Sequence, residues 1–449
     1  MRPKIPSIVI LLLASCFAVP LQAETWGIER ATAYALENNP NLLAVREQTL
    51  AAGARTEVAE GARLPELGLS YSISRSNNPL EAFAGKLNAR RVTAADFEPA
   101  RVNHPETENL HTTSLALKLP LYAGGKLSAD LANAAEAEKH ARLQYERARE
   151  LVAFQVLEAY LGLQAAQDGL AIAEDALKAA REHAHTTAAL AREGRIVVSD
   201  KLSAEVNLAA IQALREQAVT KLERARDRLK LVMGRPLDGA IEILPLALDS
   251  APVATRHLAE AEAQALMRRK DLEGLRALAQ AAQARVKGAQ AAHKPKLDVI
   301  VSSNWYDKDF DAANNSWSVM GVARLDLYAG GRHTADIAAR LAEAREFGFH
   351  VSAHEQTVRE EVRSAYDALR EAGTRYGLAR AAATQARDSV RLVKERYGQG
   401  RTILIDLLQA ERALVEARNE QLSSGVRLRA GEAALALAEG MFEATEAKP

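Results

Sequence analysis

Apolar and polar residues alternate in four stretches of this chain, and a slower rhythm fills most of the rest. Leu67, Leu69, Tyr71 and Ile73 interleave with Gly68, Ser70, Ser72 and Ser74, the period-two pattern of a strand with one apolar and one polar face. Leu115, Leu117, Leu119 and Leu121 do the same against Ser114, Ala116, Lys118 and Pro120, with the proline near the strand end, where a lost ladder donor is tolerated. A second pair lies far downstream. Leu297, Val299 and Val301 stand against Asp298, Ile300 and Ser302; Trp317, Val319, Gly321, Ala323, Leu325 and Leu327 stand against Ser318, Met320, Val322, Arg324 and Asp326. The alternation is less clean there. Each pair predicts a hairpin entered through a proline, Pro65 or Pro295.

The slower rhythm is helical. A helical segment from about Trp26 to Arg63 precedes the first hairpin. Gly125 to Gly194 contains no proline and only Gly162 and Gly169 inside it, and Gly331 to Gly400 also lacks proline. Each span predicts one helix of roughly 65 residues, about 100 Å long, far beyond an ordinary globular helix. Val152, Val156, Ala159 and Leu163 step by four, three and four, a heptad-like seam for coiled-coil packing. Many other seam positions are alanine, which lets helices approach closely. Return helices carry Leu202 and Leu208, and Leu408 and Leu414, on their apolar side. Gly234-Arg235-Pro236 breaks the pattern, and a proline-containing linker runs on to about Ala254.

The chain contains itself twice. Leu121-Tyr122-Ala123-Gly124-Gly125 returns as Leu327-Tyr328-Ala329-Gly330-Gly331, a shift of 327 − 121 = 206 positions. Val152, Val156, Ala159, Tyr160 and Leu163 recur at the same shift as Val358, Val362, Ala365, Tyr366 and Leu369. So large a period makes each half a substantial unit set beside its copy around a pseudo-symmetric axis, as in a ring or tube. The division reads as a first repeat over 24–239, a linker over 240–255, a second repeat over 256–444 and a tail over 445–449. The hairpin prolines are 295 − 65 = 230 apart, so the first hairpin loop, over 77–112, is about 24 residues longer than its counterpart over 307–316. It is polar, with Pro79, Pro99 and Pro105, and long insertions belong at solvent-facing tips.

Residues 1–23 read as a secretory signal: Arg2 and Lys4, the apolar run from Ile8 to Ala14, then Pro20-Leu21-Gln22-Ala23. Cleavage after Ala23 leaves 58 − 2 = 56 basic residues against 58 acidic, a balance that gives no reason to expect nucleic acid. It also removes Cys16, the only cysteine. Leu13-Ala14-Ser15-Cys16 is a lipobox-like tetrapeptide, and cleavage before Cys16 would instead leave a lipidated N-terminus. No other stretch is long and apolar enough for a membrane helix, so any membrane passage is by β-barrel. Trp305, Tyr306 and Trp317 at the loop end of the strands, and Tyr122 and Tyr328 at the helix end, fit the aromatic girdles of such a barrel. A soluble sheet could carry the same aromatics. Four strands cannot close a barrel, and open edges are not tolerated in lipid, so the chain would share its barrel with copies of itself. The 48% hydrophobic and 26% charged residues suit seams, lipid-facing rows and a wet lumen, but also a soluble helical protein. The order of elements separates the two.

That order, helix, strand, long loop, strand, long helix, turn and helix, done twice behind a signal peptide, resembles the TolC-like outer-membrane efflux protein family. The carriers are the strand-to-helix motifs at Leu121–Gly125 and Leu327–Gly331. With them go the turns Gly194-Arg195-Ile196-Val197-Val198-Ser199-Asp200 and Gly400-Arg401-Thr402-Ile403-Leu404-Ile405-Asp406. The resemblance implies a mainly helical fold with two structural repeats, whose long helices form an α-barrel and whose four strands join a shared transmembrane β-barrel. It implies a homotrimer in outer-membrane lipid, with twelve strands in the barrel and twelve helices across the periplasm. It further implies docking to a periplasmic adaptor protein coupled to an inner-membrane transporter. The duct itself would be passive, exporting drugs, metal ions, small molecules or proteins, and would need no cofactor.

By motif position, Gly194 to Asp200 and Gly400 to Asp406 would form the tip that constricts the tube and meets the adaptor, with Tyr397 in the gating position. Symmetry would concentrate Asp406 in a ring able to attract cations. Two positions depart from the family pattern: Gln409 stands where a second acidic ring is expected, and Arg401 lies one place before the expected arginine. Asp200 and Asp406 also read as carboxylates flanking helix N-termini. An enzyme is the weaker alternative. His350 and His354 share a helix face near Glu355, and His183 and His185 form another pair, but no H-E-x-x-H, nucleophile elbow or P-loop is present. These histidines, and His333, read as solvated helix residues. A soluble periplasmic scaffold would have the helices without the girdled hairpins. Outer-membrane protein secretion keeps the fold and changes the cargo.

Overall fold

The computed structural model describes residues 25–248, 257–307 and 314–442. The predicted signal segment, Cys16 and the 445–449 tail lie outside them. In chain order the elements begin with β1 (Thr25–Trp26), α1 (Ile28–Asn38), α2 (Pro40–Gly61), β2 (Glu66–Ser76), α3 (Pro79–Asn88), a 3-10 turn (Ala94–Phe97), α4 (Pro99–Asn103) and β3 (Glu108–Ala123). They continue with α5 (Lys126–Arg192), α6 (Val198–Met233), β4 (Glu242–Ile243), α7 (Leu258–Arg268), α8 (Lys270–Gln290), β5 (Lys296–Asp307), β6 (Asn314–Arg324), α9 (Arg332–Gly398) and α10 (Leu404–Ala438). The long helices α5 and α9 are 67 residues each, about 100 Å at 1.5 Å per residue. Among the described residues, no helix is long and apolar enough to cross a membrane.

The duplication is geometric as well as textual. Glycines at equivalent points of the two halves share the left-handed conformation: Gly125 and Gly331 (φ 93° and 77°), Gly194 and Gly400 (71° and 69°), Gly234 and Gly440 (75° and 69°). Each starts or stops a long helix, where a side chain would be strained. The first helical segment, expected to be continuous, breaks at Asn39 because Pro40 cannot follow a helical residue comfortably. Its copy breaks at Arg269 with nearly the same backbone, φ −64° and ψ 122° against −67° and 118°. A Cβ on Gly234 would meet the Asn38 carbonyl oxygen at 2.4 Å, and one on Gly440 would meet the Arg269 nitrogen at 3.1 Å. The end of each return helix therefore lies against the break in its own repeat.

Different side chains hold the two breaks. Asn39 Oδ1 accepts from the backbone of Asn41 and Leu42, while its Nδ2 donates to the Val232 carbonyl at 2.7 Å. Arg269, buried at 3% exposure, donates to Asp271 and to Glu361 of α9. Burial pushes the Asp271 carboxyl up, but Arg269 above all, with Arg147 and His354, overrides this and holds it at about 2. His354 lies 3.2 Å from Asp271, so it is tied to α8 rather than free on a solvated face.

The main core joins α1, α5 and α6 around Trp26, Tyr160 and the seam residues of the sequence, Val152, Val156, Ala159 and Leu163. The stretch expected to be a plain linker takes part in it. Its β4 pairs in parallel with β1, and the wholly buried Tyr160 hydroxyl reaches the Trp26 carbonyl at 2.9 Å and the Leu244 carbonyl at 2.5 Å. Gln164 bonds Leu246 through both its amide nitrogen and its oxygen, at 2.8 and 2.9 Å. Leu408 is buried as expected, whereas its copy Leu202 is 54% exposed in the single chain.

The Asp271 carboxyl binds protons less readily folded than unfolded, where its pKa is about 3.9. Its stabilising contribution is therefore complete above about pH 4 and lost as pH falls through about 2. The thermal midpoint of Asp271→Asn should lie below the parent's at neutral pH, with the gap closing in acid. A gap independent of pH would contradict the ion-pair account.

Candidate channel-forming site

Four antiparallel strands form one sheet in the order β2-β3-β5-β6, leaving, among the described residues, one side of β2 and one side of β6 unpaired. The outer strands are 11 residues each, the length a tilted strand needs to cross a bilayer. Cross-strand partners point to the same face, so the register sorts the side chains. Leu67 faces Leu117, Leu117 faces Val301 and Val301 faces Val319; Leu69 faces Leu115, Leu115 faces Ser303 and Ser303 faces Trp317. From the helix end through these rows that face is apolar but for Ser303, becoming polar beyond them at Thr113, Asn315, His111 and Asp307, and it is open, with Leu69 73% and Trp317 74% exposed. On the opposite face run Ser70, Ser114, Asn304 and Ser316, and Gly68, Ala116, Ser302 and Ser318, with the last two hydroxyls 2.9 Å apart.

The register revises several readings. Trp305 and Trp317 lie on the apolar face, joined there by Tyr71, whose hydroxyl is 2.5 Å from His111 Nδ1. Tyr306 pairs with Thr112 and Asn314 in the polar rows, so the structure removes it from the girdle: it stands one residue out of phase with Trp305. A bulge between Pro120 and Tyr122 makes Leu121 the extra residue and brings Tyr122 opposite Leu297, in the apolar rows. Leu325, Leu327 and Tyr328 lie beyond β6, which ends at Arg324. Tyr328 is fully outside the sheet, in the connection to α9. The expected 77–112 loop is shorter and folded: it holds α3, the 3-10 turn and α4, and β3 begins at Glu108. At the other hairpin, β5 extends to Asp307 and β6 starts at Asn314, with 308–313 outside the described residues.

At the far end, the two helix turns are built alike. The Gly194 and Gly400 amides donate to Ala191 and Tyr397 carbonyls, and the Arg195 and Arg401 amides to Leu190 and Arg396 carbonyls. Each is a Schellman closure, which needs the left-handed glycine. Three residues into the next helix stand Asp200 and Asp406, in the first turns of α6 and α10, where a carboxylate is favoured. Asp406 also accepts the Thr402 hydroxyl. Asp406, Gln409 and Arg401 are all exposed.

The two turns meet. Ala204 of α6 packs on Leu404 and Leu408 of α10, with Tyr397 and Ala184 against them. Burial, and then the Asp200 charge, raise the Tyr397 hydroxyl above its ordinary pKa. Behind this contact, His183 Nε2 lies 2.8 Å from Glu411 Oε1, and Arg418 reaches Asp175 at 3.4 Å. His183 is thus a half-buried bridge between hairpins, not a solvated helix residue. Spacing alone could not show this, because its partner lies on another helix. His350 stays exposed beside Glu346. Among the described residues, no three metal-ligating side chains gather into a site.

The outer membrane efflux protein family model matches residues 33–235 and 263–440. The chain belongs to the outer membrane efflux protein family. It is similar to outer membrane protein OprJ of Pseudomonas aeruginosa, 26% identical over 86% of this chain and 78% of that one. It is likewise similar to the alkaline protease secretion protein AprF of the same organism, 25% identical over 91% of this chain and 83% of that one. The fold is that of the Campylobacter jejuni CmeC outer membrane channel, with a TM-score of 0.78 at 18% identity over 100% of this chain and 96% of that one. This efflux protein is therefore an outer-membrane channel protein with a helical periplasmic extension.

Asp406→Ala removes both the Thr402 bond and the favourable charge in the first turn of α10, a local loss of about 0.3–1 kcal/mol. Amide exchange across 402–407 should quicken several-fold, and Asp406→Asn should show a smaller effect. Unchanged exchange in Asp406→Ala would contradict a stabilising role for Asp406 in this turn.

Proposed function

We propose that three copies of this efflux protein close one conduit, and that it serves as the passive exit duct of a tripartite efflux system. The observation that carries this reading is the sheet's two unlike faces ending in two unpaired edges. Leucine and valine rows suit lipid and serine rows suit a wet lumen, while each open edge needs another strand. Three sheets of four strands supply twelve, a number that encloses a lumen.

The helices continue the conduit away from the membrane. Their joined turns, with Gly194, Asp200, Tyr397, Gly400, Arg401, Asp406 and Gln409, form the periplasmic tip, where an adaptor protein docks and an inner-membrane transporter delivers cargo. Three copies place Asp406 and Asp200 around one axis, a negative ring that concentrates cations. Tyr122, Trp305, Trp317 and Tyr71 hold the sheet at the two membrane interfaces, with Tyr328 just below the lower one. The similarity to AprF, a protease secretion protein by name, supports a second reading in which the same duct exports a protein. The cargo pathway differs, but the conduit does not.

Purified in mild detergent, the protein should have the mass of three chains after correction for bound detergent. A monodisperse monomer retaining its sheet would overturn the proposal.

A further inference from the structure

The segment between β2 and β3 is too well built to be a slack surface loop. Asn78 caps α3 by accepting from the Leu80 and Glu81 amides. Within the segment, Lys86 bonds Asp96 at 2.9 Å, Asp96 accepts from both the amide and the hydroxyl of Thr93 at 2.8 Å, and the Phe83 and Phe97 rings meet edge to face at 5.6 Å.

Its anchors on the sheet share one face. Glu108, which takes Lys86 and Arg91 at 3.4 Å each, pairs with Ser76 in the polar rows. Leu110, against which Gly85 of α3 packs, pairs with Ser74 in the same rows. Asn314, whose Nδ2 donates to the Ala89 carbonyl at 2.9 Å, pairs with Tyr306, again in the polar rows. Next to it, Arg90 in a left-handed conformation (φ 52°) aims its guanidinium at the Asn315 carbonyl, 3.2 Å away. The segment leaves β2 at one edge of the sheet and is fastened to β6 at the other, so it crosses the whole four-stranded arc on its polar side, at the end away from the helices.

The geometry points to an inward-folded cap: residues 77–107 lie inside the outer mouth of the barrel and filter by size what passes through it. This rests on the channel reading, which makes the polar face the lumen. Three copies project three caps into one opening. Small solutes thread between them, and bulky ones need the anchors at Glu108, Leu110 and Asn314 to let go. The short second hairpin contributes the docking edge rather than a cap of its own, which gives the 24-residue inequality between the two loops a purpose.

The test uses Ser114→Cys, in the middle of the polar face, on a Cys16→Ser background in intact cells, so that reagents enter only from outside. A small maleimide and a bulky polyethylene-glycol maleimide are compared. With the cap intact, the small reagent should label and the bulky one should not. Replacing residues 79–104 by a short Gly-Ser bridge should bring the bulky label to parity, and so should the undocking pair Arg90→Ala with Asn314→Ala, which leaves the segment in place. Parity with the cap intact, or exclusion of the bulky reagent in both variants, would overturn the cap. If neither reagent labels any variant while denatured protein labels fully, the polar face is not a lumen open to the outside. The channel reading then falls, and the cap with it.

Discussion

An unpaired strand edge in hydrocarbon leaves a row of backbone donors and acceptors with no water to satisfy them, at several kcal/mol per group. Among the described residues this chain has two such edges, on β2 and β6. It also has a sheet whose outer face is leucine, valine and tryptophan, a surface that water does not favour. Neither feature makes sense for an isolated molecule, and both are satisfied together when identical arcs join edge to edge. The helices follow from the same constraint. The helices α2, α5, α8 and α9 all join the sheet at the same end, so any ring of sheets continues as a ring of helices.

Duplication supplies the geometry at low cost in new information. Equivalent glycines set the start of α5 and α9, the turns at the tip, and the ends of α6 and α10. Where the halves differ, the difference has a physical use. Asn39 holds one break by capping α2, and Arg269 holds the other by pairing with acidic groups on α8 and α9. Tyr397 stands where the first repeat has Ala191, a shift of 206, and fills the space between the two tip turns. Only one hairpin carries a long insertion. The two repeats are thereby nearly alike along their strands and long helices and differ at the helix turns and at the hairpin loops.

Much of this was legible in the sequence, because strand alternation and the absence of proline are local signals. The strand positions in β2, the buried seam from Val152 to Leu163 and the two glycine turns follow from period and punctuation alone. What escaped depended on contacts distant in sequence. Tyr306 looked like a girdle residue, but register sets its face and register is fixed by β3. Leu121 looked like a continuation of its leucine row, but the bulge beside Pro120 hands that place to Tyr122. His183 and His354 looked solvated because Glu411 and Asp271 are not their sequence neighbours. The 77–107 segment looked like loop because its helices are short and its anchors, Leu110 and Asn314, lie outside it. Tyr71 was read as a strand residue, and only the register and its hydroxyl contact with His111 place it beside Trp305 on the apolar face.

The central claim is that β6 of one copy lies beside β2 of the next. Within one chain those strands are separated by β3 and β5, about 14 Å at 4.8 Å per strand, beyond the reach of a disulfide. Ser70→Cys or Ser72→Cys on β2, combined with Ser316→Cys or Ser318→Cys on β6 in a Cys16→Ser background, should give covalent dimers and trimers on a denaturing gel after oxidation. Protein that stays monomeric across the whole panel, with its sheet intact, would contradict the account.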